Sequence, residues 1–230
     1  MGKETAYRCE DKYLIREDVA RGLIEAANRS FKKDTHVGKE GFYDIRSLYF
    51  DTPDNRFYHE KIDKVPVRHK WRIRIYDGNV RKILLEKKES VDKLKHKTFC
   101  KITRKQCEAL IYGNPIDEGN LDPVFLEFLH EAKEIDLKPR VIVDYRRIPF
   151  VYKENNVRIT FDLNIAGSSD ISTFLLEEPY LKRVIPDGMM VLEVKYEGSL
   201  PEYVKKSIAE ISQMKKGSYS KYVEVFSGCL

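Results

Sequence analysis

Four cations stand two residues apart in the segment Arg68-His69-Lys70-Trp71-Arg72-Ile73-Arg74-Ile75-Tyr76. In an extended chain that spacing puts Arg68, Lys70, Arg72 and Arg74 on one face and Trp71, Ile73 and Ile75 on the other. Like charges in such a row repel one another, and in a partly desolvated space the repulsion is costly unless an anion compensates it. The same parity recurs along the chain. Arg8, Glu10 and Lys12 share a face opposite Tyr7, Cys9 and Tyr13. Lys82, Glu86 and Lys88 share another, as do Tyr145 with Arg147, Arg158 with Thr160 and Asp162, and Glu193 with Lys195.

Two arrangements satisfy this pattern. An antiparallel sheet can pack its apolar face on a core and leave the charged face to water. Alternatively the sheet closes on itself, and the charged faces line a lumen crowded with guanidinium and ammonium groups. Such a lumen requires an anion. A chain of phosphates supplies charge along the axis, with oxygens that match the arginine fork. Interspersed carboxylates such as Glu10 and Glu193 could then hold a divalent metal that bridges phosphate oxygens.

The elements that would carry these faces are eight stretches rich in β-branched and aromatic residues with a period of two: 6–15, 44–51, 67–77, 81–88, 95–102, 140–150, 156–165 and 190–197. Helical spacing of Val19, Leu23, Ala26 and Ala27 predicts an amphipathic helix near 17–31. Thr103 and Gln106 have the form of a capping box before a helix ending near Gly113. Asp122-Pro123 opens another, with Val124, Phe125, Phe128, Leu129 and Ala132 as its stripe, and Pro201 opens a last one carrying Val204, Ile208, Ile211 and Met214 and closed near Gly217. Strand mostly follows strand, with few helices long enough for parallel crossovers. The fold class expected is therefore α+β, mainly antiparallel β, with peripheral helices.

With 230 residues and no Gly/Ser/Pro-rich linker, the expectation is one domain over residues 1–230. Forty-two Lys and Arg stand against 37 Asp and Glu, a net charge of only +5, which does not fit a histone-like nucleic-acid binder. Cys9, Cys100, Cys107 and Cys229 lack metal-knuckle or redox-pair spacing and read as reduced, mostly buried residues. The five histidines are scattered, and neither a Ser-His-Asp set nor a Gly-rich phosphate loop is present. No apolar run approaches the roughly 18 residues of a membrane span, so a cytoplasmic protein with no membrane segment is expected. Nucleic acid is not an expected partner, because aromatic residues alternate away from the cations and offer no stacking platform. Lys32-Lys33, Lys87, Lys93 and Lys215-Lys216 read as solvated surface, and Asp51-Thr52-Pro53-Asp54 as a turn rather than a metal site.

Seven motifs in one collinear order, from about residue 6 to 226, resemble the VTC (vacuolar transporter chaperone) domain of the CYTH-like triphosphate tunnel metalloenzymes. They are Arg8-x-Glu10-x-Lys12-Tyr13, Ser47-Leu48-Tyr49-Phe50-Asp51-Thr52-Pro53, Arg72-Ile73-Arg74, Leu85-Glu86-x-Lys88, Val157-Arg158-Ile159-Thr160-Phe161-Asp162, Leu192-Glu193-Val194-Lys195-Tyr196 and Ser220-Lys221-Tyr222. The resemblance implies a closed eight-stranded antiparallel β-barrel forming a tunnel. It also implies synthesis of inorganic polyphosphate from the γ-phosphate of ATP or another nucleoside triphosphate, with Mn²⁺ or Mg²⁺ as cofactor. By the same resemblance Lys12, Arg72, Arg74, Lys88 and Arg147 are the expected catalytic residues. Arg8, Lys97, Tyr145, Arg158, Lys195 and Lys221 are the expected phosphate contacts, and Glu193 with Glu10 the metal ligands. Hydrolytic relatives of the wider superfamily typically open with Glu-x-Glu-x-Lys, whereas here Arg8 replaces the first carboxylate. Two other readings stay open: a hydrolase of triphosphate or polyphosphate, in which water replaces the acceptor phosphate, and a module that captures a polyanion without turnover.

Overall fold

The computed structural model describes residues 3–34, 37–92, 94–208, 216–217 and 219–229, with side chains left undescribed at 3–7, 207 and 216. In chain order the elements are β1 (Lys3–Arg16), α1 (Glu17–Ser30), β2 (Lys32–Lys33), β3 (Tyr43–Asp51), α2 (Arg56–Ile62), β4 (Val67–Tyr76), β5 (Ile83–Val91) and β6 (Leu94–Ile102). There follow α3 (Arg104–Tyr112), α4 (Pro123–Glu134), β7 (Lys138–Tyr152), β8 (Val157–Ser168), β9 (Lys182–Arg183), β10 (Met189–Tyr196), α5 (Glu202–Ser207), β11 (Lys216–Gly217) and a further helix, Lys221–Cys229. All eight expected strands form.

They close into a ring. Antiparallel pairing runs β7–β3–β4–β5–β6–β1–β10–β8 and returns from β8 to β7. Closure decides between the two arrangements the parity allowed, because the charged faces now look at one another across a lumen. The apolar faces look outward and are covered by helices. Trp71, Ile73, Leu85 and Cys100 pack under α3 and α4, with Trp71 edge-on to Phe128 at 5.2 Å between centroids. Ile15, Phe150, Phe161 and Leu192 pack under Ala20, Leu23 and Ala27 of α1. The helix caps form as expected: Thr103 and Gln106 make a reciprocal capping box, α3 stops at left-handed Gly113, and the Asp122 side chain accepts the Val124 N–H.

Several expectations need correcting. Lys82 precedes β5 and is exposed, so it does not share the strand face with Glu86 and Lys88. Lys87 is not solvated: it pairs with Glu127 at 2.6 Å and lies over the Trp71 ring at 5.3 Å, because α4 covers that part of the outer wall. The helix opened by Pro201 ends at Ser207, with Ile208 as its C-cap; Ile211 and Met214 lie outside the described residues, as do Lys93 and Lys215. Cys100 and Cys107 are buried, and burial pushes both thiols up to about 12, but Cys9 and Cys229 are only half-buried. No helix among the described residues is long and apolar enough to cross a membrane.

Asp51-Thr52-Pro53 is a turn that launches α2, an element without a sequence signal long enough to detect. Asp51 is fully buried and accepts the N–H groups of Thr52 (2.8 Å), Phe57 (2.8 Å) and Tyr58 (3.0 Å), and the Tyr222 hydroxyl donates to it as well. Its carboxylate therefore ties β3, α2 and the helix Lys221–Cys229 together. Asp51→Ala strands four buried donors and is expected to cost about 3 kcal/mol, read as a lowered urea midpoint; an unchanged midpoint would contradict this role.

Candidate active site

Cross-strand register brings opposite charges together on the inner wall. Arg72 of β4 faces Glu86 of β5 and Tyr49 of β3. Its Nε donates to Glu86 at 2.7 Å and its Nη1 to the Tyr49 hydroxyl at 2.8 Å. Arg74 donates to Ser47 at 3.1 Å, lies 3.8 Å from Glu86, and reaches the Tyr145 hydroxyl at 3.5 Å. Lys97 of β6 takes the other Glu86 oxygen at 3.0 Å. Burial would raise the Glu86 carboxyl, but Arg72, Arg74 and Lys97 outweigh it and hold the group far below the usual carboxylate range.

Across the ring, Arg147 of β7 faces Asp162 of β8 and grips it with two hydrogen bonds of 2.6 and 2.7 Å, while Lys221 adds a contact of 2.5 Å. Between these walls β1 and β10 alternate charge: Glu10 stands opposite Lys195, and Lys12 opposite Glu193. Lys12 bridges Glu10 (2.8 Å) and Glu193 (3.4 Å), Lys88 reaches Glu10 at 3.0 Å, and Lys195 pairs with Glu193. Burial and mutual repulsion would raise the Glu10 carboxyl, yet the surrounding lysines keep it well below its ordinary value; Glu193, buried likewise, is held down by Lys195, Lys12 and Arg147.

Two adjoining cavities result. An inner chamber of about 60 Å³ is lined by Lys12, Arg72, Arg74, Lys88, Tyr145, Arg147, Glu193, Lys195 and Lys221 among the expected site residues, and by Tyr49, Lys70, Ser220 and Tyr222. A wider mouth of about 350 Å³ shares Lys12, Lys70, Lys88 and Ser220 with the chamber and adds Glu10, Lys61, Arg68 and Lys95. Beside the chamber the lumen turns apolar: Ile45, Val143, Ile165 and Val191 cluster with Val225 and Phe226 of the helix Lys221–Cys229.

Of the expected residues, Arg8, Lys97 and Arg158 line neither cavity. Arg8 pairs with Glu197 at 3.2 Å; Arg158 pairs with Asp34 at 2.7 Å and donates to the Tyr43 hydroxyl at 2.8 Å. Parity gives the face of a strand but not the depth along the lumen, which is why both looked equivalent to Arg72. Lys97 reaches the cluster through Glu86. Sequence reading gave no site role to Lys70, Tyr49, Glu86, Asp162, Ser220 or Tyr222. Parity had put Lys70, Glu86 and Asp162 on the charged faces, whereas Ser220 and Tyr222 come from a turn and a helix, where a period of two says nothing. Aromatic residues do not all turn away from the cations either: Tyr49, Tyr145 and Tyr222 face the chamber, with Tyr49 stacked on Tyr222 at 5.0 Å.

The chamber is short of negative charge. Eight basic side chains line it, Lys12, Lys70, Arg72, Arg74, Lys88, Arg147, Lys195 and Lys221, against the single lining carboxylate Glu193, with Glu10, Glu86 and Asp162 paired to some of the eight from beside it. The strain shows in the lysines. Burial first, and then Lys88, Lys12 and Arg72, push Lys70 down to about 7 despite the partial relief of Tyr49. Burial lowers Lys88 to about 8 although Glu10 opposes it, and lowers Lys61 and Lys95 in the mouth to about 8 as well. Tyr49 is pulled the other way: burial would raise its phenol, but Arg72, Lys70 and Arg74 bring it to about 7. A bound polyanion would relieve all of these at once.

No group of three or more His, Cys, Asp or Glu among the described residues forms a ready metal cage. Glu10 and Glu193 nonetheless suit a hard divalent ion held by one or two carboxylates plus substrate phosphates, the usual habit of Mg²⁺. The histidines of the barrel wall serve structure: His69 bonds to Glu131, which also accepts the Trp71 indole N–H, and His96 bonds to Glu89.

Fold and lumen together define a closed ring of eight antiparallel strands around a cation-rich tunnel. The VTC domain model matches residues 7–227, and the chain belongs to that family. Among solved structures it is similar to a candidate adenylate cyclase of Bacillus halodurans, with 14% identity, a TM-score of 0.52, and coverage of 91% of this chain and 89% of that one. It is also similar to a candidate adenylyl cyclase of Hippeastrum described as having a dominant triphosphatase activity, with 15% identity, a TM-score of 0.52, and coverage of 98% and 97%. At such identities the likeness establishes the shared fold. A comparison with curated proteins gave no significant match.

Proposed function

We propose that this protein is a metal-dependent phosphotransferase that makes inorganic polyphosphate from the γ-phosphate of ATP inside the chamber. The observation that carries this reading is the crowding of eight basic side chains around a narrow, buried space that one carboxylate, Glu193, lines, an imbalance that a triphosphate would relieve. Arg72, Arg74, Lys88 and Arg147 clamp the phosphate oxygens, with Lys12, Lys195, Lys221 and Tyr145 around them. Glu193, with Glu10, would hold Mn²⁺ or Mg²⁺, which when bound would supply further positive charge against the phosphates. An oxygen of the acceptor phosphate attacks the γ-phosphorus in line, the bond from γ-phosphorus to the bridging oxygen breaks, and ADP leaves with that oxygen. The transition state is loose and its charge is spread over equatorial oxygens, so fixed cations and alignment lower the barrier without a covalent nucleophile. An acceptor already anionic at neutral pH needs no strong base.

Hydrolysis is the second reading, favoured by the retention of two lumen carboxylates, Glu10 and Glu193, close enough to share Lys12. Incubation with ATP and Mn²⁺, followed by gel detection of polymer, separates the two. Long polyphosphate supports transfer, and stoichiometric orthophosphate supports hydrolysis. No turnover with or without metal contradicts both and leaves a polyanion-binding module.

A further inference from the structure

Nine large apolar side chains are exposed among the described residues, and six of them fall in two patches. Ile62, Val67, Val91 and Leu94 form the first, on the rim of the mouth. Val67 pairs with Val91 across β4 and β5, Val91 pairs with Leu94 across β5 and β6, and Ile62 ends α2 just before β4. Exposed aliphatic groups gathered in this way mark an interaction surface, unlike single ones scattered over a protein. Around them stand Lys61, Lys64, Arg68 and Lys95, which outnumber the neighbouring carboxylates Asp63 and Asp92. None of the four makes an ion pair among the described residues; Arg68 and Lys95 donate to the backbone carbonyls of Val65 and Asp92 instead.

The second patch has the opposite charge. Leu176, 54% exposed, and Tyr180, 87% exposed, flank Glu177 and Glu178, both exposed and without an ion pair among the described residues. The cations that follow are engaged elsewhere: Lys182 donates to the Gly228 carbonyl, and Arg183 pairs with Asp187. The backbone of this loop is fixed from beneath. Arg46 donates to the carbonyls of Phe174 (3.3 Å), Leu176 (2.5 Å) and Glu177 (3.4 Å), and the Phe174 side chain is fully buried. A loop held in one shape loses little freedom on binding, so its side chains are presented ready for a partner. Arg46 pairs with Ile75, eight residues along β4 from Val67, a span of roughly 26 Å at the rise of a strand. The two patches of one chain therefore do not meet.

We propose that the acidic loop of one copy seats on the basic rim of the next. In this head-to-tail contact Leu176 and Tyr180 cover Ile62, Val67, Val91 and Leu94, while Glu177 and Glu178 face the rim's cations. Charge selects the pairing. Rim against rim, or loop against loop, would set like charges face to face, whereas loop against rim joins apolar to apolar and acid to base. The contact is heterologous, so each added copy brings a new loop and a new rim, and growth continues until a ring closes or a filament forms. Being small, the contact is weak, with a Kd on the order of 10–100 µM. A loop seated there lies across the opening to the lumen.

Sedimentation equilibrium at low ionic strength tests this. The average mass of wild type is expected to rise with concentration from 27.0 kDa to values beyond the dimer. A rim variant carrying Val67→Gln with Leu94→Gln, and a loop variant carrying Glu177→Gln with Tyr180→Ser, change exposed side chains only. Each alone is expected to associate at least about tenfold more weakly than wild type. Mixed as folded chains, they are expected to form a complex of two chains and nothing larger, because the rim variant keeps its loop and the loop variant keeps its rim. Wild type that stays monomeric up to about 1 mM overturns the contact. So does undiminished association of either variant alone, or a mixture of the two that stays monomeric.

Discussion

Arg74→Ala is expected to lower turnover of ATP by about a thousandfold while leaving the protein folded. Arg74 is buried on the inner wall, and its hydrogen bonds go to neutral groups, Ser47 and the Tyr145 hydroxyl; Glu86, the nearest carboxylate, is 3.8 Å away. Glu86 therefore engages its charge only at the edge of ion-pair range, and the guanidinium can serve a ligand as well. Removal leaves Glu86 still compensated by Arg72 at 2.6 Å and Lys97 at 3.0 Å, so no buried carboxylate is orphaned. The neighbouring arginines differ on this point. Arg72→Ala removes the closest partner of Glu86, and Arg147→Ala breaks a two-point grip on Asp162, so both are expected to reduce stability as well as activity. Wild-type turnover by a folded Arg74→Ala variant would remove Arg74 from the site.

Binding of tripolyphosphate is expected to take up protons between pH 7 and 9, with affinity falling as pH rises. The sign follows from the free protein. Lys70, near about 7, and Lys88, near about 8, are partly neutral in this range. Lys70 is held down by burial and by Lys88, Lys12 and Arg72, with Tyr49 as its opposing neighbour. Anionic phosphate restores both ammonium groups toward their usual range, so the complex holds more protons than its parts. Tyr49 adds to the effect: a phosphate beside Arg72 and Arg74 takes over the cations that lower its phenol, and the group gains a proton. Each proton linked in this way weakens binding by up to about tenfold per pH unit. Calorimetry in buffers of different ionisation enthalpy reads the uptake directly. Proton release over this range, or affinity constant from pH 7 to 9, would show that the anion does not reach these groups.

Much of the wall was legible in the sequence because a strand in a closed sheet obeys one rule at every residue. Alternation located all eight ring strands and assigned Arg72, Arg74, Arg147 and Glu193 to a common face. Closure itself left no local trace: β3 meets β7, and β1 meets both β6 and β10, through pairings that the order of strands does not announce. Depth along the lumen was equally hidden. Arg8 and Arg158 obey the same alternation as the chamber residues, yet Glu197 and Asp34 hold them off both cavities. Where the backbone leaves the sheet, alternation gives no information at all. Ser220 and Tyr222 reach the lumen because Gly167 lets a helix approach and Asp51 anchors the Tyr222 hydroxyl, a combination of contacts from three distant segments. The outward apolar face hid a charged residue too, since Lys87 is covered by α4 through Glu127 rather than left in water.

The most direct test is a crystal structure of the protein with tripolyphosphate bound. Density for the phosphate chain is expected inside the ring of eight strands, with oxygens on Arg72, Arg74 and Arg147. A chain bound on the outer surface, or a lumen left without phosphate at saturating ligand, would contradict it.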